Sequence, residues 1–371
     1  MSDHTQKLFA PVNLGSLALK HRVVMAPLTR SRSEQPGDIP GPLMAEYYSQ
    51  RASDGGLIIT EATSISLQGH GWYGAPGLFT DAQVEGWKAV IQAVHAKGGL
   101  IMSQLWHTGR SSNVLTLGGE TPVAPYIDPS YWNDPKSLVS TNNGWQQPSP
   151  HRALTIPEIK AIVEDYRNAA ERAKAAGFDG VELHGANGYL PDEFLQDGSN
   201  KRTDEYGGSI ENRSRFMLEV MAALVSVWGG DRTAVRIGPS GRWNHMSDSN
   251  PEALFDYLAG QLNQFDLAYL HIVEPRVRGN IVFDEGQAPI ASERLRKIFK
   301  NRIIAAGGFE PDTAEAILEK GDADAVAFGR HFISNPDLPL RIRKGLPLTD
   351  YDRATFYTFD AKGYSDYASA L

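Results

Sequence analysis

Short apolar runs recur along this chain, and helix-like patterns separate most of them; no other feature constrains the fold as tightly. The runs fall at Arg22–Met25, Leu57–Thr60, Leu100–Gln104, Gly180–Leu183, Ala234–Ile237, Leu267–Ile272, Ile303–Ala305 and Ala325–Phe328. The helical patterns fall at Pro42–Ala52, Asp81–Lys97, Ile156–Ala176, Ser209–Trp228, Pro251–Gln264, Ser292–Phe299 and Pro311–Lys320. Strands alternating with helices imply a parallel sheet in an α/β fold. About eight repeats imply a closed (β/α)8 TIM barrel, with an open doubly wound sheet as the alternative. No internal repeat, low-complexity tract or linker interrupts the rhythm, so residues 1–371 are expected to form a single barrel domain.

The helix signals are local and physical. Thr155-Ile-Pro-Glu158 reads as a capping box with proline in the first turn, and Gly177 stands where a C-terminal glycine belongs. Ile159, Ile162, Tyr166, Ala169 and Ala173 trace one apolar face at spacings of three and four. Two segments break the alternation. Leu8 to Leu19 reads as a short N-terminal hairpin capping one end of the barrel. Trp106 to Ala153 is a loop after strand 3, rich in aromatic residues, proline and glycine. Loops beyond ~15 residues in a compact domain are usually functional or disordered; the aromatic content of this one predicts a lid or pocket wall.

Composition mainly excludes. The chain has no cysteine, which removes disulfides, thiolate metal sites and cysteine nucleophiles together. A net charge of −8 argues against a general nucleic-acid binder. The polar N-terminus and the lack of a long apolar run predict neither a signal peptide nor a membrane span. The expected setting is cytoplasmic.

Barrel chemistry sits at the C-terminal ends of strands. Here those ends carry Thr29-Arg30, Glu61-Ala62-Thr63, Gln104-Leu-Trp106-His107, His184-Gly-Ala-Asn187, Arg236, His271, Gly307-Gly308 and Gly329-Arg330. None is a lysine, which disfavours a Schiff-base aldolase. No His-x-His or His-Glu-x-x-His occurs, so no metal site is expected. Gly307-Gly308 precedes the helix at Pro311, and Gly329-Arg330 precedes another near Asn335. Exposed backbone N–H groups beside an arginine suit a phosphate, although such glycines can also just turn corners. Gly69-His-Gly71-Trp-Tyr-Gly74 matches a dinucleotide fingerprint literally, but Ala75-Pro-Gly77 follows it instead of a helix, so it reads as a loop.

The fourth strand end is the richest. Val181-Glu-Leu-His-Gly-Ala-Asn-Gly-Tyr189 gathers His184, Asn187 and Tyr189 on a backbone loosened by two glycines. Two hydrogen-bond donors and a phenol could hold a carbonyl oxygen and deliver a proton. Taken alone, His184 could equally be a satisfied structural histidine, Asn187 a turn former and Tyr189 a capped core aromatic.

With these residues laid out, the sequence resembles the Old Yellow Enzyme family of FMN-dependent ene-reductases, in its threonine branch. The resemblance runs from about Leu8 to Tyr367. Its most specific stretches are Val24–Arg30, Gln104–Arg110, Val181–Leu190, Arg202–Arg213 and Ala327–Arg330. It implies FMN at the barrel mouth, reduced by NADPH or NADH and reoxidised by an electron-poor alkene. By position, Pro27, Leu28, Thr29, Ala62 and Gln104 are expected to line the isoalloxazine, with Arg236 at its pyrimidine edge. Gly307, Gly308, Gly329 and Arg330 are expected to hold the phosphate. His184 and Asn187 would bind the substrate oxygen, Tyr189 would supply the proton, and Trp106, Tyr357 and Trp72 would shape the substrate pocket. Trp72 and Tyr73 share the loop where a substrate-facing tyrosine often stands, and Val277 occupies a place that can be aromatic. The quaternary expectation is monomer or homodimer. Competing readings are a nitro-compound or nitrate-ester reductase on the same site, a flavin-binding protein with incidental NADPH oxidase activity, and, more distantly, a phosphosugar enzyme on the same barrel.

Overall fold

The computed structural model describes residues 7–275, 277–278, 281–282 and 291–370. Eight strands close a parallel barrel. In chain order they are β1 (Val23–Met25), β2 (Leu57–Ser64), β3 (Leu100–Trp106), β4 (Gly180–Gly185), β5 (Thr233–Ile237), β6 (Tyr269–Val273), β7 (Ile303–Ala306) and β8 (Ala325–Phe328). Each pairs with its sequence neighbours, and β8 returns to β1, so the closed alternative prevails over the open sheet.

The main helices fall where the periodicity predicts. Ile156–Ala176 starts with the Glu158 carboxylate accepting from the Thr155 N–H at 2.8 Å and ends at Gly177, whose φ is +97°. Its predicted apolar face is buried throughout. Between β6 and β7 the helix shrinks to Ser292–Leu295, and the chain continues in turns to Phe299. After β8 the helix begins at Arg330 itself, earlier than expected, and a second follows at Leu338–Lys344. Strands β2, β3 and β4 run past the polar residues at which the apolar runs stop; in β2 and β3 the side chains of Glu61 and Gln104 find buried partners at the barrel top.

The N-terminal hairpin pairs Val12–Leu14 with Leu17–Leu19 and seals one end of the barrel. Leu14, Leu17 and Leu19 join Val24, Ile59, Met102, Tyr269 and Ile304 in the interior cluster. At ~25 cal/mol per Å² of apolar surface removed from water, each buried leucine there contributes about 1.5–3 kcal/mol. The long loop after β3 is ordered. Val123–Ala124 pairs with Arg152–Ala153, a helical turn spans Pro129–Trp132, and Val139–Thr141 pairs antiparallel with Gly144–Gln146. Among the described residues no helix is long and apolar enough to cross a membrane.

Candidate active site

A cavity of about 360 Å³ opens at the C-terminal ends of the strands. Pro27, Leu28 and Thr29 reach it from the turn after β1, Gln104 from β3, His184, Asn187 and Tyr189 from the end of β4, and Arg236 from β5. Gly307 and Gly308 after β7, with Gly329 and Arg330 after β8, form its far wall. Trp72 and Tyr357 close the outer side. The barrel thus brings together residues separated by more than three hundred positions in sequence. Ala62 and Trp106 are not on the cavity wall: they pack behind it in a cluster with Trp72, Ala75 and Tyr189. Trp106 is nearly parallel to His184, meets Tyr189 edge-on at 4.9 Å and packs against Trp72, so it backs three residues of the cavity wall. Of the two candidates on one loop, Trp72 faces the cavity, whereas Tyr73 turns away onto Phe359 at 5.4 Å. The side chain of Val277 lies outside the described residues.

Register sets the electrostatics. His184, Arg236 and His271 lie level on three adjacent strands, and Glu182 lies level with Gln104. Glu182 is fully buried and accepts from Gln104 Nε2 at 2.8 Å and from His271 Nδ1 at 2.9 Å. Burial alone would raise its pKa, but His271, Arg236 and the Gln104 bond together hold it below the ordinary value. Burial lowers the His271 pKa against the opposing pull of Glu182, and Arg236 is the nearby cation. His184 is pushed well below the ordinary histidine value by burial and then by Arg236 and His271, and it stays neutral. A neutral imidazole donates through one nitrogen only. The Tyr189 phenol is raised well above the ordinary value by burial and by Tyr357 and Tyr131, so it keeps its proton.

The loop presenting these groups is braced from two sides. Asn187 has φ +61°, a left-handed conformation asparagine tolerates better than most residues. Gly188 follows at φ +70°, where a Cβ would fall 2.6 Å from that of Asn244. The Gly188 N–H donates to Asp192 Oδ2 at 2.9 Å, and Asn244 Nδ2 donates to the Asn187 carbonyl at 2.9 Å. Tyr131 and Arg110 from the long loop in turn hold Asn244 through its amide oxygen and its carbonyl. Under the β1 turn, Glu61 Oε2 accepts from the N–H groups of Arg30 and Ser31, both at 3.1 Å. The arginines of that turn then grip the C-terminal segment: Arg30 donates to the carbonyls of Phe356 and Gly363, and Arg32 to those of Thr355 and Phe356. This presents Phe356 and Tyr357 to the cavity. Sequence reasoning places Glu61 and His271 at strand ends without giving them a role, and it misses Glu182, Asp192, Asn244 and Phe356 as parts of the site. Only Glu61 and Glu182, charged residues inside apolar strand patterns, carry a legible signal, since a buried carboxylate demands partners.

Behind the β4 loop, Glu193 is fully buried and accepts from the Arg110 N–H at 2.9 Å. Burial pushes its pKa up to about 8, against the opposing pull of Arg110. The raised value means the fold favours the protonated form. That contribution is complete below the ordinary 4.5 and is lost as pH climbs through about 8. Glu193→Gln cannot ionise, so its unfolding free energy should gain a few kcal/mol on the wild type between about pH 5 and about pH 9. Stability curves that stay parallel over that range would contradict the assignment.

Three features suit an anionic planar cofactor with a phosphate tail. Among the described residues, Arg236 Nε is buried with no hydrogen-bond partner and Arg330 makes no ion pair, while Gly307 and Gly308 hold φ of +127° and +65°. Residues 7–349 match the family described as NADH:flavin oxidoreductase / NADH oxidase. The chain is 45% identical to flavin oxidoreductase hxnT of Emericella nidulans, with 98% of each chain covered. It is 45% identical to 12-oxophytodienoate reductase 1 of Oryza sativa subsp. japonica, over 97% of this chain and 92% of that one. Among solved structures, morphinone reductase in complex with tetrahydroNAD superposes with a TM-score of 0.90 at 49% identity, covering 98% of both chains. The Old Yellow Enzyme homologue from Zymomonas mobilis superposes at 0.91 with 44% identity, over 97% of this chain and 99% of that one.

Proposed function

Since the chain belongs to the NADH:flavin oxidoreductase / NADH oxidase family and is an FMN-dependent oxidoreductase of the Old Yellow Enzyme type, we propose that it reduces the carbon–carbon double bond of electron-poor alkenes, α,β-unsaturated carbonyls and nitroalkenes, at the expense of NADPH or NADH. The observation that carries this reading is the convergence of His184, Asn187 and Tyr189 on one cavity with Arg236 and the paired glycines opposite. FMN, once bound, would supply the hydride chemistry between a nicotinamide and the alkene. Pro27, Leu28, Thr29, Gln104 and Arg236 would hold its ring, with Ala62 behind, and Gly307, Gly308, Gly329 and Arg330 its phosphate. Morphinone reductase, so similar over its whole length, is solved with tetrahydroNAD bound, which supports a nicotinamide as reductant.

The chain's own part is binding, orientation and proton delivery. Neutral His184 and the Asn187 amide donate to the substrate oxygen, where negative charge grows as hydride reaches the β-carbon; donors fixed before the reaction stabilise that charge without reorganising. Tyr189, protonated in the resting site, gives its proton to the α-carbon and regains one from solvent before the next turnover. The Arg236 guanidinium would offset negative charge on a bound flavin ring, and Glu182 interacts electrostatically with that cation.

The test is an anaerobic titration of the visible spectrum of the purified holoenzyme. Yellow absorbance should bleach with NADPH and return with about one equivalent of 2-cyclohexenone. A spectrum that stays bleached with the enone but recovers with a nitrate ester would transfer the assignment to that acceptor class. Recovery with oxygen alone would leave incidental oxidase activity.

A further inference from the structure

The hairpin Val139–Gln146 meets two rings of the cavity wall, and one rung of it carries those contacts. Ser140 and Trp145 are directly opposed in its ladder. The Ser140 carbonyl accepts from the Tyr73 N–H at 3.1 Å, and the Trp145 ring meets the Trp72 ring edge-on at 5.2 Å. One rung therefore docks on two consecutive residues of the loop after β2, by backbone and by side chain. Trp145 also meets Tyr357 at 5.6 Å, and Trp72 meets Tyr357 at 5.5 Å. The three rings form a closed triangle of edge-to-face contacts, the arrangement aromatic quadrupoles favour.

Trp145 is 46% exposed, yet the two rings it touches line the cavity. A two-stranded hairpin is marginal by itself, so this rung helps seat it, beside the buried Val139 and Thr141. Trp72 leans in turn on Trp106 at 6.3 Å, and Trp106 lies against His184. The triangle thus stands one ring beyond the oxygen cradle, where the far end of an acceptor would lie.

We propose that Trp145 is a specificity-determining positioning residue: by bracing Trp72 and Tyr357 it sets the length of acceptor the cavity admits, favouring single-ring acceptors over those with a second ring opposite the oxygen. This rests on the reading of His184 and Asn187 as the oxygen-binding pair. Trp145 itself need not touch substrate.

The experiment measures dissociation constants of phenol and 4-phenylphenol on the holoenzyme of the wild type, Trp145→Ala and Trp145→Phe. Both ligands offer the same oxygen, and only the second projects a ring toward the triangle. The ratio of the 4-phenylphenol constant to the phenol constant should fall at least about tenfold in Trp145→Ala, the scale a reshaped apolar pocket commands. It should return to within about threefold of wild type in Trp145→Phe, which keeps an edge-to-face partner. An unchanged ratio in the alanine variant, or equal weakening of both ligands, overturns the proposal. If the alanine variant does not fold, Trp145→Leu replaces it with the same expectation. Reduction of 2-cyclohexenone by the wild type is read in parallel. A shifted ratio without alkene reduction refutes the proposed reaction and keeps the size limit, whereas alkene reduction with an unchanged ratio refutes the size limit alone.

Discussion

Tyr189→Phe is expected to slow alkene saturation by about 10²- to 10⁴-fold while leaving oxidation of the nicotinamide within about twofold. The substitution is clean because the ring has structural work of its own. Tyr189 is only 7% exposed and packs edge-on against Trp106 and His184, contacts a phenylalanine keeps. The hydroxyl alone is lost, and only the alkene half of the cycle needs its proton. Stopped-flow traces of the two half-reactions separate the outcomes. Equal slowing of both halves would take Tyr189 out of the proton-donor role and make it a packing residue.

The second large effect belongs to the oxygen cradle. His184→Ala combined with Asn187→Gly should weaken phenol binding by about 10²- to 10⁴-fold, since two donors to a phenolate-like oxygen are worth roughly 1.5–3 kcal/mol each. Glycine is the right partner at position 187 because the backbone there is left-handed, and alanine would add strain unrelated to the lost amide. The long-wavelength absorbance of the phenol complex reports the result. Unaltered phenol affinity in the double variant would mean that the oxygen sits elsewhere in the cavity. His184 remains neutral across the working range, so phenol affinity should not follow a histidine titration.

The alternation of apolar runs and helical faces makes the barrel legible because each strand buried by helices outside and side chains inside reads as an uninterrupted apolar segment. Ile159 to Ala173 can be assigned to one face for the same reason. Strand ends are less legible. The pattern at Leu57–Thr60 stops where Glu61 begins, yet the strand continues to Ser64 through a bulge, because Tyr48 and the β1 turn satisfy the carboxylate. The cradle residues can be found because they lie within six positions of one another on a single strand end. Asn244 and Asp192 cannot, since nothing in their spacing shows that one bonds the carbonyl of Asn187 and the other the N–H of Gly188. Trp106 misleads in the opposite direction: a large aromatic at a strand end points to the mouth in sequence, and only packing shows that His184 and Tyr189 stand in front of it.

The arginine grip on the C-terminal segment has a consequence in time. Phe356 and Tyr357 complete the cavity, but they emerge from the ribosome after every strand of the barrel, and Arg30 and Arg32 wait with buried guanidinium groups for the carbonyls of Thr355, Phe356 and Gly363. A nascent chain can close its eight strands while this wall is still unmade. Synthesis therefore finishes this wall of the cavity last, and Arg30, among the earliest-made of its lining residues, is held by some of the latest.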